Sequence, residues 1–354
     1  MIAIVKREIK NYLKRPLFGI GVILVILGVF LNLEPYLTIQ YVSSEKEQAQ
    51  NIPEVYYDGD ISEGYVPTSE EQRREMWEEM ICESLISISE MNKVEAESVI
   101  EKMKGMDIEK ACEYLEKEYH FEGAIHTYWD TRYHQGTKEE MNSYIESKLQ
   151  KKSFSYYFSR KFADFAGLYM AFFASVMLAV LFLQDTKKNT YELLHTKPVR
   201  AGTYVFGKIA GGFSVCLIVL AILNLVFFIA CRIFTGSSGF EVRFTDFVVA
   251  TCLYILPNML MIVCVHGLVS LLFKNPLPAV PFLILYMVYS NMGSRNAEGM
   301  FGYYGRPLAI MVRFPGQFFE TTPPPMSLLN QSFLLLASIG IIMICVQLWR
   351  RRRI

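Results

Sequence analysis

The most suggestive chemical signature in the chain is Gly202 to Lys208, which reads G-x-x-x-x-G-K. Such a loop cradles phosphates with backbone N–H groups when Ser or Thr follows to hold magnesium and a buried strand precedes it. Here Ile209 follows, a proline-containing stretch from His195 to Ala201 precedes, and the segment runs directly into an apolar run. The pattern therefore does not predict nucleotide binding. Its glycines fit close packing at the foot of a membrane span. A second cluster, His120, His126 and His134, has gaps that do not bring the rings onto one helical face. Zinc sites need tighter spacing with Cys or carboxylate partners, so no metal site is expected. No H-E-x-x-H or G-x-S-x-G motif and no serine, histidine and acid arrangement is present, so no catalytic residue is assigned.

Polar groups inside apolar runs are the other candidates, because hydrocarbon penalises them. These are Asn224, Asn258 and His266, with Asp164 near one end of the second run. They are candidates for a translocation pathway; the competing reading is hydrogen bonding between helices, worth roughly 1–2 kcal/mol or less each. No chain of Asp or Glu crosses the runs, which argues against an ion-driven transporter and for an external energy source.

The elements that would position these groups follow from charge and hydropathy. Between Glu45 and Lys152 lie 26 acidic and 13 basic residues, although the whole chain of 354 residues is neutral. One acidic polar block thus sits inside a basic, apolar protein, and that asymmetry implies two environments. The apolar part holds runs long enough for spans of roughly 20 residues. The expectation is an all-α membrane protein with six transmembrane helices.

In chain order, 1–15 reads as a basic amphipathic helix lying in the membrane interface, with Ile2, Val5, Ile9 and Tyr12 opposite Arg7, Lys10 and Lys14. A signal-peptide n-region fits less well, since the next run is too long for an h-region and lacks a cleavage site. The first span is 16–37, opened by Pro16. An extracytoplasmic, mostly helical domain occupies 38–159. It carries capping boxes at Ser69–Gln72 and Thr137–Glu140 and an apolar stripe of Ile108, Cys112, Leu115 and Tyr119. Cys82 and Cys112 could pair outside a cell or remain two buried thiols. Five further spans occupy 160–354, with a break at Pro257 and Asn258, an inner loop at 184–208 and an outer loop at 293–327 whose 300–319 stretch is apolar enough to dip back. Proposed inner segments carry 15 Lys and Arg against 5 in the short outer loops, which puts both termini inside.

The inner loop is the polar island Gln184 to Lys208. Asn189 and Glu192 suit the two ends of a capping box, Tyr191, Leu193 and Leu194 supply apolar contacts, and Pro198 stops the helix. A short, capped, aromatic-bearing helix between two spans suits a groove on a partner; an ordinary inner loop held by lysines is the plainer alternative.

Asp185, Thr190, Tyr191, Glu192, Leu193, Leu194, Pro198, Val199, Arg200, Tyr204 and Lys208 resemble the signature of ABC-2-type permeases, the membrane subunits of a class of ATP-binding-cassette exporters. Ile4 to Lys10 resembles the interfacial elbow helix of that family. The resemblance implies that the island contains a coupling helix seated on a separate ATPase. The contact residues would be Asp185, Tyr191, Glu192, Leu193, Leu194, Pro198 and Arg200. It implies two ATPase copies and a second permease, identical or homologous, in a bacterial cytoplasmic membrane. ATP and magnesium would sit on the partner, with no cofactor on this chain and no nucleic acid involved. The large outer block departs from minimal members and resembles the outer domains of peptide-, antibiotic- or sodium-exporting relatives. The alternative is a membrane receptor or scaffold that binds a ligand through its outer domain without an ATPase, and a membrane enzyme is a third reading.

Overall fold

The computed structural model describes residues 1–43, 54–88, 90–180, 199–295, 301–302 and 305–351. The chain divides into two compact units, Met1–Thr38 with Lys152–Ile354, and Ile39–Lys151.

The unit Ile39–Lys151 is built from α3 (Glu70–Ile88), α4 (Lys93–Met103), α5 (Ile108–Tyr119), α6 (Ala124–Asp130) and α7 (Lys138–Leu149). Two strands, Tyr65–Pro67 and Tyr133–Gln135, pair antiparallel with Tyr65 opposite Gln135. Trp77, Ile81 and Leu85 recur every four residues on α3 and are fully buried against Val99 and Met103 of α4 and Leu115 of α5. The Trp77 indole N–H donates to the Ala124 carbonyl at 2.9 Å, so its polar edge is satisfied inside the core. Arg74 donates to the carbonyls of Met103 and Met106 and covers the C-terminal end of α4. The boxes at Ser69–Gln72 and Thr137–Glu140 both form. A further one, Asn92 with Glu95, opens α4. Cys82 and Cys112 are free thiols packed at the edge of the same core, and burial pushes the Cys112 thiol up to about 11.

The other unit begins with α1 (Ile2–Leu13) and α2 (Pro16–Leu37), the latter entered through Pro16 in its first turn. Then follow α8 (Phe154–Met177), α9 (Ala201–Phe234), α10 (Phe244–Tyr254), α11 (Leu256–Phe273), α12 (Ala279–Asn291) and α13 (Ser327–Arg351). Among the described residues, α2, α9, the α10–α11 pair and α13 are long and apolar enough to cross a membrane. The remaining two of the six expected spans depart from that pattern. Helix α8 starts at Phe154, within the 38–159 stretch assigned to the extracytoplasmic domain, and carries Arg160, Lys161 and Asp164. Helix α12 has 13 residues, a length of about 20 Å, short of the roughly 30 Å hydrocarbon core.

The α10–α11 break falls at Ile255, where the helix is distorted to a φ of -114° within the right-handed region, two residues before Pro257. Asn258 Nδ2 bridges it by donating to the Tyr254 carbonyl at 2.8 Å. Helices α2 and α8 approach through glycine: Phe173 lies against Gly21 and Tyr169 against Gly28. The segment Ala309–Val312 with Phe314 is buried in protein rather than helical, and Phe318 stacks on Tyr36 with ring centroids 5.3 Å apart.

Candidate functional site

Of the residues assigned to partner coupling, Asp185, Tyr191, Glu192, Leu193, Leu194 and Pro198 lie outside the described residues. Arg200 is described: it is exposed and stands at the N-cap of α9, its carbonyl accepting from the Tyr204 N–H at 3.1 Å. Residues 199–200 lead directly into α9. That helix runs unbroken for 34 residues, a rod of about 51 Å. It exceeds the hydrocarbon thickness by several turns, and the surplus is available at its ends.

The first turns of α9 are where α1 docks. Lys208 Nζ donates to Glu8 Oε1 at 2.8 Å, and both side chains are only 6% exposed. The approach depends on two glycines four residues apart. A Cβ at Gly207 would lie 3.0 Å from Ile4 Cβ, and one at Gly211 would lie 2.7 Å from Glu8 Cβ. These positions replace side chains by backbone so that a charged pair closes between two helices. The G-x-x-x-x-G-K pattern is thus a packing device: its last glycine receives Ile4, and its lysine neutralises Glu8 rather than a phosphate. One turn earlier, Tyr204 stacks on Trp349 of α13 with centroids 4.2 Å apart. Helix α1, the start of α9 and the end of α13 therefore form one packed foot.

Among the described residues, the pathway candidates are not joined to one another by hydrogen bonds. Asn224 donates to the Leu220 carbonyl at 2.7 Å and exchanges hydrogen bonds with the Thr251 hydroxyl at 3.0 Å, tying α9 to α10. Asn258 serves the helix break, while its Oδ1 has no partner among the described residues. His266 is fully buried on α11 beside the Ser175 backbone, and neither ring nitrogen completes a hydrogen bond among the described residues. One turn on, the buried Ser270 hydroxyl is likewise unpartnered. No group of three or more His, Cys, Asp or Glu able to hold a metal is found among the described residues.

Sequence reading passed over a second charged assembly. Arg313, between α12 and α13, pairs with Asp164 of α8 and donates to Asn291 Oδ1 at 2.5 Å. Lys161 donates to the carbonyls of Phe314 and Gly316, and Arg160 to that of Thr321. Three basic or acidic residues within five positions of α8 thus seat the largely buried 309–321 strap. The available signal was their position in an otherwise apolar helix, as it was for Glu8, the lone acid of a basic helix.

A family profile described as ABC-2 family transporter protein matches residues 2–342. No curated protein and no solved structure matches the chain.

Proposed function

From the premise that this chain belongs to the ABC-2 family of transporter proteins, and is therefore a membrane transport subunit, we propose that it couples ATP hydrolysis on a separate ATPase to export of a cargo. Tyr191, Glu192, Leu193 and Leu194 seat in a cleft of the ATPase, and Asp185, Pro198 and Arg200 frame that helix. ATP and magnesium stay on the partner. Two ATPase copies work with this permease and a second, identical or homologous one. Peptides, antibiotics or similar amphiphiles are the favoured cargo, given the size of the unit Ile39–Lys151. The chain resides in a bacterial cytoplasmic membrane with both termini and the 184–208 loop inside, and with Ile39–Lys151 outside.

The observation that carries the reading is the α1–α9 clamp. A helix receiving force at Arg200 passes it along α9 without a break, and the Glu8–Lys208 pair obliges α1 to follow. Displacement of the loop then moves α1 and α9 as one body relative to the remaining spans. Asn258 and His266 stay on the pathway side of the proposal, because their unmet hydrogen-bonding capacity suits a second arrangement in which water or cargo reaches them. Asn224 is fully engaged with Leu220 and Thr251 and is the weaker pathway residue.

The test is to change Glu192→Ala, and separately Tyr191→Ala with Leu194→Ala, in the intact transporter. Hydrolysis and transport should come apart while the chain still inserts in the membrane. Normal transport by both variants would sink the coupling assignment.

A further inference from the structure

Helix α1 presents three sectors. The first, Ile4, Val5, Glu8 and Tyr12, faces protein: Glu8 and Tyr12 are buried, and Ile4, Val5 and Glu8 meet the glycines of α9. The second, at helical spacing beside it, is apolar and open, with Ile2 69% and Leu13 52% exposed and Ile9 between them. The third is cationic: Lys6, Lys10 and Lys14 follow at four-residue intervals with Arg7 alongside, all exposed. No salt bridge among the described residues engages these four, and the only acid on the helix, Glu8, is committed to Lys208. Helix α1 passes through Arg15 straight into the spanning helix α2 at Pro16, so it sits at the edge of the hydrocarbon.

We infer that the Lys6–Arg7–Lys10–Lys14 face of α1 is a docking surface for the headgroups of anionic phospholipids. Charge alone would equally suit an acidic protein surface. The order of the sectors decides for lipid. The open apolar sector lies between the protein-facing one and the cationic one, so a helix resting with Ile2, Ile9 and Leu13 in the acyl boundary brings its lysines level with the headgroups. Because α1 is clamped to α9, headgroup binding also fixes the start of the rod that leaves the inner loop. This last consequence rests on the proposed coupling function; the lipid site itself rests only on the membrane embedding of the chain.

The experiment uses the full chain in mixed micelles of zwitterionic phosphatidylcholine and anionic phosphatidylglycerol, with retained lipid counted by mass spectrometry. The wild-type chain should retain phosphatidylglycerol in excess of its share. Each neutralised lysine should lower that excess by about fivefold. The Lys6→Gln, Lys10→Gln, Lys14→Gln variant should therefore lose the preference, and the corresponding triple Arg variant should keep it. Hydrogen exchange in α1 shows whether the Gln variant still docks on α9. If it does not, single Lys10→Gln and Lys14→Gln variants are read by the same lipid ratio. An unchanged ratio in the docked Gln variant overturns the proposal. So does an unchanged ratio accompanied by loss of a co-purifying ATPase, which would assign the cationic face to that partner. Failure to recover any ATPase with the wild-type chain would count against the coupling function and leave the lipid ratio readable.

Discussion

Removing one side of the Glu8–Lys208 pair should release α1 from α9. In Lys208→Met the Glu8 carboxylate stays at a site where only 6% of its side chain is exposed, without the ammonium that lies 2.8 Å away. Breaking a buried pair by deleting one partner costs about 3–5 kcal/mol, chiefly because the surviving charge is uncompensated. Taking 3 kcal/mol from the local opening of α1 speeds amide exchange there by roughly a hundredfold, at about 1.4 kcal/mol per tenfold. The double change Glu8→Gln with Lys208→Met strands no charge and should recover most of the lost protection, giving a coupling energy of roughly 2 kcal/mol or more. The assay is hydrogen exchange with mass spectrometry on the purified full chain, with amides of α3 to α7 as the unaffected reference. Additive single effects, or an α1 that exchanges normally in Lys208→Met, would refute the clamp. Slowed coupling of hydrolysis to transport should accompany the single change and be relieved in the double one.

Gly211→Val should also lift α1, since even a Cβ there meets Glu8 at 2.7 Å; faster exchange in α1 with unaltered membrane insertion is the expected result. Arg313→Met leaves Asp164, whose side chain is 4% exposed, without its cation and should cost about 3–5 kcal/mol, seen as new protease cleavage in the 305–322 strap. Trp77→Ala empties the centre of the Ile39–Lys151 core and should cost about 3–5 kcal/mol, measured as proteolysis confined to that unit. At Glu140, burial pushes the carboxyl up, but hydrogen bonds from Thr137 and the nearby His134 outweigh it and hold it below the ordinary value. The group whose folded value is depressed stabilises above its unfolded value, near 4.3, and loses that contribution as pH falls through the lower folded value. The protection factor at the start of α7, taken against the intrinsic exchange rate at each pH, should therefore fall on acidification in the wild type and be low already at neutral pH in Glu140→Ala, a loss of about 1 kcal/mol.

The parts of the fold legible in the sequence were those set by local rules. Helix α2 runs from Pro16 to Leu37 because proline fixes its first turn and an unbroken apolar run follows. The boxes at Ser69–Gln72 and Thr137–Glu140 marked their helices, and Pro257 marked the break between α10 and α11. What escaped depends on partners distant in sequence. Asp164 was legible only as a polar group near one end of the second run, and the helix, expected from residue 160, begins at Phe154. Lys161 and Asp164 are buried and Arg160 half-buried, each paired with a carbonyl or guanidinium from residues 313–321. Glu8 and Lys208 lie 200 positions apart, and nothing local pairs them. Glycines at the foot of α9 were legible as packing residues, yet not the helix they receive. The coupling residues 185–198 rest on family resemblance and sequence chemistry alone.

The most direct measurement of the central claim is a mild-detergent pull-down of the tagged chain from its native membrane, with co-purifying proteins identified by mass and assayed for ATP hydrolysis. The account predicts a stoichiometric partner with Walker motifs that is lost when Tyr191 and Leu194 are replaced by alanine. A chain that purifies from intact membranes without any nucleotide-binding partner would contradict it.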